Sequence, residues 1–276
     1  MDILKLIEQK FNYLAPKERS IGMFILENPD KTQSMTINQL ASETNTSIGS
    51  ITRFCKKMEC KNYADLKIKL AMTTAYLNNE KMYDKEIHNT LDEVSSYYKE
   101  VIENNIRSIN ETDILKLIKL INQSDHIYIF GLGSSALTAT ELKTRLMRMG
   151  LNVHTCIEPD TMRITTSLLN PNDLVIAISN SGESKDIVNA VIAAKEKKAS
   201  VVSFTSFIDS PLTRNSDFFL LVYNSLFLNK ENFINSQFSL MYLIDVISIY
   251  LLQNQSYALS MKKTINAVLE KNEINR

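Results

Sequence analysis

Five short apolar runs recur between residues 127 and 222: Ile127–Phe130, Val153–Cys156, Leu174–Ile178, Val201–Phe204 and Phe218–Val222. Polar turn residues bound each run, and most of the spacers between them are long enough for a helix. A strand that is apolar on both faces must be covered on both, and helix-length spacers supply the cover. The pattern predicts an α/β domain, a parallel sheet wrapped by helices in three layers, Rossmann-like in outline. The expected helices cover 135–149, 160–169 and 184–198, a short piece near 211, then 235–252 and 257–271.

The texture before this region is different. Leu4, Ile7, Phe11 and Leu14 stand at helical spacing. Pro16 permits a new helix start, and Ile21, Phe24 and Ile25 carry an apolar face until Asn28-Pro29 ends it. Thr36 is placed to cap the next helix, and two further short helices are expected to end near Ala71. No strand-like alternation interrupts this stretch, so the N-terminal part reads as all-α. Residues 76–110 are polar with a stripe of Leu91, Val94, Tyr98 and Val101, which predicts a connecting helix with a joint near Asn78-Asn79. The expected organisation is multidomain: 1–77 all-helical, 78–107 a helical linker, 108–276 the α/β domain.

Residues 36–58 have the spacing of a helix-turn-helix. Ala41 supplies the small residue of the first helix, Asn45 the left-handed turn position, and Ile51 the apolar anchor of the second helix. Leu40, Ile51 and Phe54 are expected to face inward. Ser47 would cap the second helix, whose first turn would enter a major groove. Ser47, Ile48, Gly49, Ser50, Thr52 and Arg53 are expected on or near the outer face. Arg53 could bond a guanine edge or a phosphate, and Lys56, Lys57 and Lys61 would meet phosphates. Residues 1–75 hold eleven Lys and Arg against eight Asp and Glu, a mild basic bias in a chain of zero net charge. Spacing alone does not separate such a reader from a plain pair of packed helices.

Two loops carry the other candidate chemistry. GLGSS at 131–135 follows the first strand, and SNSGES at 179–184 follows the third. Gly131 and Gly133 permit a tight turn; Ser134 and Ser135 set hydroxyls beside the free N–H groups of a helix start. Gly131, Gly133 and Ala136 also fit GxGxxA, but no Asp or Glu ends the second strand as a ribose partner, and Glu158 lies beyond it. Ser179, Asn180, Ser181 and Ser184 gather hydroxyls at a second helix start. A dinucleotide needs one pyrophosphate site, whereas two Ser/Gly loops at adjacent strand ends suit a single phosphate with a sugar-like tail. Taken singly, each serine reads first as a cap or turn residue, and it is the combination of the two loops that carries the functional reading.

Several classes are disfavoured. Cys55, Cys60 and Cys156 form no CxxC pair, and Cys55 and Cys60 have no His at ligand spacing, so no metal or other cofactor is expected and the thiols should be reduced and cytoplasmic. The N-terminus does not read as a signal peptide, and the apolar stretch Leu240–Leu252 is broken by Asp245 and too short for a bilayer. An aldose–ketose isomerase needs a base near the carbonyl. His88 lies in the linker, His126 and His154 border strands at their amino ends, and Glu183 and Glu231 are the remaining candidates.

At PKERSIGMFILENP (16–29), RFCKKM (53–58), KNYADLKIKLA (61–71), IFGLGSS (129–135), AISNSGESKDIV (177–188) and TSFIDSPLTRNSD (205–217), the chain resembles the RpiR family of bacterial transcriptional regulators. These join a helix-turn-helix domain to a sugar isomerase (SIS) domain. The resemblance implies a non-enzymatic regulator of carbohydrate genes that binds a double-stranded DNA operator under control of a phosphorylated sugar. It places phosphate binding on Ser135, Ser179, Ser181 and Ser184, with Asn180 and Ser134 as further contacts. Two-fold operators lead to the expectation of a homodimer or tetramer. Departures from the family pattern are Asn45 for the usual turn glycine, Gly49 inside the second helix, and NSQFSL at 235–240 where similar domains often carry a basic residue.

Overall fold

The computed structural model describes residues 3–83, 90–223, 235 and 237–273. They divide into two compact units, one ending at Tyr98 and one beginning at Lys99. His88 and Glu231 lie outside the described residues.

The first unit is helical: α1 (Ile3–Lys10), a 3-10 turn (Phe11–Tyr13), α2 (Pro16–Glu27), α3 (Pro29–Ser34), α4 (Ile37–Glu43), α5 (Ile48–Lys57) and α6 (Tyr63–Tyr83). Its core gathers Ile7, Phe11, Leu14, Ile21, Ile25, Leu40, Ile51, Phe54 and Leu66, all buried. Gly22 on α2 makes that packing possible. A Cβ there would stand 3.3 Å from side-chain carbons of Ile7, Phe11 and Phe54, so any larger residue would require these neighbours to yield by a few tenths of an ångström. The helix expected to end near Ala71 continues to Tyr83 and passes through Asn78-Asn79 without a joint. No Pro or Gly lies in that stretch to stop it. The helix α7 (Thr90–Ser108) buries Tyr97, Val101 and Asn105, while Leu91, assigned above to the apolar stripe, is exposed.

The second unit contains α8 (Glu111–Gln123), then β1 (Ile127–Gly131), α9 (Ser134–Arg148), β2 (Val153–Cys156), α10 (Pro159–Leu168), β3 (Leu174–Ile178), α11 (Lys185–Glu196), β4 (Ser200–Thr205), α12 (Pro211–Arg214) and β5 (Phe218–Leu221). Two helices, α13 (Phe238–Leu252) and α14 (Gln255–Glu273), follow. The five apolar runs are the five strands, all parallel, in the order β2-β1-β3-β4-β5. Alternate strand residues serve opposite faces. Ile129, Ile176, Ile178, Val202 and Phe204 pack with α8, α9 and α13; Phe130, Val175, Ala177 and Val201 pack with α10, α11 and α12. Every residue of β3 is buried, as expected of a strand covered on both sides.

The backbone closes its helices in one recurring way. Asn45 (φ 50°), Glu59 (φ 56°), Gly150 (φ 87°) and Lys198 (φ 64°) follow α4, α5, α9 and α11 in the left-handed region. In each case the next residue's N–H reaches back to the carbonyl five positions earlier: Thr46 to Ala41, Cys60 to Cys55, Leu151 to Leu146 and Ala199 to Ala194. This is the Schellman closure, which satisfies carbonyls that the helix leaves open.

Replacing Gly22 by Val is expected to lower the stability of the full chain by ~1–3 kcal/mol through overpacking. Urea denaturation checks this, and an unchanged midpoint would show that α2 can move away from Ile7, Phe11 and Phe54 at no cost.

Candidate functional site

Topology brings the two Ser/Gly loops together. The chain passes from β1 outward to β2, then returns to the other side of β1 to lay down β3, β4 and β5. Crossovers on either side of β1 therefore diverge, and the crevice they leave lies at the carboxyl ends of β1 and β3, the usual ligand position in such sheets. In the strand register Gly131 is level with Ile178, and Ile178 with Phe204. The loops after β1, β3 and β4 thus leave the sheet at the same height.

The loop after β1 is shaped by its glycines. A Cβ on Gly131 would meet the Ser135 carbonyl oxygen at 2.6 Å, so the first turn of α9 could not close over it. Gly133 has φ 57° and ψ −129°, a combination left almost entirely to glycine. Ser135 is buried and Ser134 exposed. The Ser134 hydroxyl oxygen accepts from Gln237 Nε2 at 3.3 Å, and Thr138 Oγ1 donates to Gln237 Oε1 at 3.0 Å, so the residue preceding α13 is tied to the start of α9.

The loop after β3 is held from within and from β4. Ser179 Oγ accepts from the Gly182 N–H at 3.2 Å, and Ser181 Oγ from the Glu183 N–H at 3.2 Å. Each hydroxyl that accepts a backbone proton keeps its own proton to donate, which an anion can receive. Ser184 precedes α11 but its side chain makes no capping bond. The first-turn N–H groups of α9 and α11 have no acceptor within their own helices and point toward this end of the sheet. Asn180 is bound to the β4 loop: its carbonyl accepts from the Ser206 N–H at 3.0 Å and from Thr205 Oγ1 at 3.2 Å, and its side-chain oxygen from the Ser206 hydroxyl. Gly182 has φ 67°, and a Cβ there would lie 2.3 Å from Ser210 Oγ. The arrangement can bind an anion through neutral donors. Among the described residues no group of three His, Cys, Asp or Glu side chains could hold a metal.

In the first unit, α4 and α5 form the helix-turn-helix. Thr36 and Gln39 cap α4 reciprocally, Asn45 takes the left-handed turn, and Ser47 Oγ accepts from the Ser50 N–H at 3.2 Å to start α5. Leu40, Ile51 and Phe54 are fully buried. Burial pushes the Cys55 thiol up to about 12, and raises those of Cys60 and Cys156 as well, which keeps all three protonated.

Residues 1–76 match the helix-turn-helix domain of the rpiR family, and residues 120–223 match the SIS domain. The chain has RpiR-family architecture. It is 28% identical over 282 residues to an HTH-type transcriptional regulator of Caldanaerobacter subterraneus subsp. tengcongensis, covering 96% of this chain and 99% of that one. It is 29% identical over 223 residues to the HTH-type transcriptional regulator HexR of Escherichia coli, covering 78% and 76%. The structure of Vibrio vulnificus NanR complexed with ManNAc-6P shares the fold, with a TM-score of 0.62, 24% identity and coverage of 97% and 98%. These relatives support a non-enzymatic transcriptional regulator with helix-turn-helix and SIS domains.

Within this RpiR-type chain most expected outer-face residues of α5 are exposed: Ser47, Ile48, Gly49, Thr52, Arg53, Lys56 and Lys57. Two differ from expectation in their surroundings. Ser50 is buried, because it lies one turn before Phe54 on the inward face, and its hydroxyl meets Ser47 Oγ at 3.0 Å. Lys57 is turned to α2, where its Nζ sits 2.6 Å from a carboxylate oxygen of the nearly buried Glu18. Thr205, Ser206 and Gln237 brace the loops after β1 and β3 but were not among the expected site residues. The first two sit in a stretch noticed only as family pattern, and Gln237 is 99 residues from its partner Thr138.

Replacing Gly182 by Ala is expected to destabilise the second unit by ~1–3 kcal/mol, seen as a lower melting midpoint. Adding Ser210→Gly should restore part of the loss, since Ser210 is the nearest obstruction. A double variant no more stable than Gly182→Ala would place the strain in the backbone.

Proposed function

We propose that this chain binds operator DNA through α4 and α5 and that a phosphorylated sugar, bound at the loops after β1 and β3, sets the affinity. The observation that carries the reading is that Gly131 and Ile178 stand level in adjacent strands at the reversal of strand order, each followed by a serine-rich loop and a helix start. The ManNAc-6P bound to the similar NanR supports a sugar phosphate as the ligand class. Residues 1–77 are assigned to DNA reading, 78–107 to the link, and 108–276 to effector binding. Ser134, Ser135, Ser179, Asn180, Ser181 and Ser184 form the proposed phosphate cradle. Ser47, Ile48, Gly49, Thr52, Arg53 and Lys56 form the proposed DNA face, with Ser50 and Lys57 holding it in shape. Two-fold operators suit a homodimer or tetramer in the cytoplasm. Control requires the sugar phosphate to bind the DNA-competent and incompetent states with different affinity. Among the described residues no helix is long and apolar enough to cross a membrane.

The test is a thermal-shift screen of the full chain against phosphorylated sugars, amino sugars and dinucleotides, followed by DNA titrations with and without the stabilising compound. A ligand at a hundredfold excess over its Kd stabilises by ~2.7 kcal/mol. The Ser179→Ala, Ser181→Ala double variant is expected to lose the ligand response and keep DNA binding. A response that survives would move the site elsewhere, and a dinucleotide as sole stabiliser would overturn the ligand class. On the DNA side, Arg53→Ala should weaken binding by ~1–3 kcal/mol if it reads a base, and Lys56→Ala should reduce the salt slope by about 1. Lys57→Ala should instead lower stability, because it leaves the Glu18 carboxylate without its cation. Equal effects of the two lysine variants on the salt slope would overturn this division.

A further inference from the structure

The outward surface of α5 carries an apolar ridge that a polar helix start does not need. Ile48 opens the helix and is 48% exposed, while Ile51, three residues on, is fully buried. Ser47 and Gly49 on either side are small, so the Ile48 side chain stands above its neighbours. Thr52, one turn later, continues the same row. Its hydroxyl donates to the Ile48 carbonyl at 3.0 Å, which satisfies the polar atom within the helix and leaves the methyl as the part of the side chain free to make contacts. A second row lies beside the first. Arg53 reaches back along the helix toward its N-terminus: Nη2 donates to Ser50 Oγ at 3.2 Å, and a Cβ on Gly49 would be 3.7 Å from Nη1. A Cβ at position 49 would make only ordinary contact with the guanidinium and with Ser47 Oγ, so nothing in the structure explains the helix-weakening glycine there.

We infer that Ile48, with the Thr52 methyl behind it, reads the 5-methyl group of thymine in the operator's major groove, beside the base or phosphate contacted by Arg53. Thymine is the base that presents a methyl group in that groove, and apolar side chains are the complement to it. The inference rests on the DNA-reading function proposed above and adds the base that the helix start selects. Ile48 donates and accepts no side-chain hydrogen bond, so its contribution to sequence choice comes from burying one methyl group against another.

The experiment starts from duplexes enriched by the full chain from a random DNA pool. Each thymine of an enriched half-site is replaced in turn by deoxyuridine, which removes the methyl and changes no hydrogen-bonding group. Binding is followed by fluorescence anisotropy at fixed salt. At one or two positions per half-site uracil is expected to weaken binding about fourfold, the equivalent of ~0.8 kcal/mol for one buried methyl group. The Ile48→Ala variant is expected to bind the thymine and uracil forms at those positions equally, and Ile48→Val to retain part of the difference. Wild-type binding indifferent to uracil at every position would overturn the inference and leave DNA binding intact, as would an Ile48→Ala variant as sensitive as the wild type. A pool from which no duplex is enriched would overturn the DNA-reading function itself.

Discussion

The parallel pairing of β1, β3 and β4 is the constraint on which the proposed effector site depends. Because Gly131, Ile178 and Phe204 are in register, three loops emerge side by side. Because strand order reverses between β1 and β3, the helices that follow those strands diverge and leave a crevice. The loops then brace one another. Asn180 is held by Thr205 and Ser206, Gly182 fits against Ser210, and Gly131 allows the turn into α9. A side chain on either glycine would disturb the cradle before any ligand arrived. The site is therefore preorganised by backbone geometry, and its donors are neutral hydroxyls and amides rather than a cluster of cations.

The helix-turn-helix rests on a different balance. Its two helices close with left-handed residues at Asn45 and Glu59, positions where most side chains are mildly strained. Burial of Leu40, Ile51 and Phe54, the last of them against Gly22, offsets that strain. Glu18 joins the outer surface to this core. Its carboxylate accepts from the Ala15 N–H at 3.0 Å and meets Lys57, so one acidic side chain both starts α2 and fixes the end of α5. A mild excess of positive charge in the first 75 residues thus overstates the cations free to face a polyanion.

The strands were legible because a sheet covered on both faces demands short continuous apolar runs bounded by turns, whereas the longer apolar stretch Leu240–Leu252 has the length of a helix. The helix caps at Thr36 and Ser47 and the left-handed Asn45 were legible for local reasons, since a cap or turn is decided within four residues. The end of α6 was not. Ala71 lay near the end of the visible apolar periodicity, but a helix without Pro or Gly continues while its backbone bonds are satisfied. The burial of Ser50 and the partner of Lys57 were hidden for a related reason. Their spacing on α5 is compatible with an outer face; Lys57 does stay exposed but pairs with Glu18 on α2, and the inward turn of Phe54 carries Ser50 into the core.

Sequence by itself determined the two-part organisation, the five strands, the helix-turn-helix spacing and the serine-rich loops, because each is written in local periodicity or in residues with special backbone freedom. Tertiary structure alone decided which loops share a crevice, which hydroxyls are buried, and which cations are already paired. Those properties depend on contacts such as Thr138 with Gln237 and Lys57 with Glu18, which join positions 99 and 39 residues apart. No periodicity spans such separations; they are settled by how the helices and strands pack.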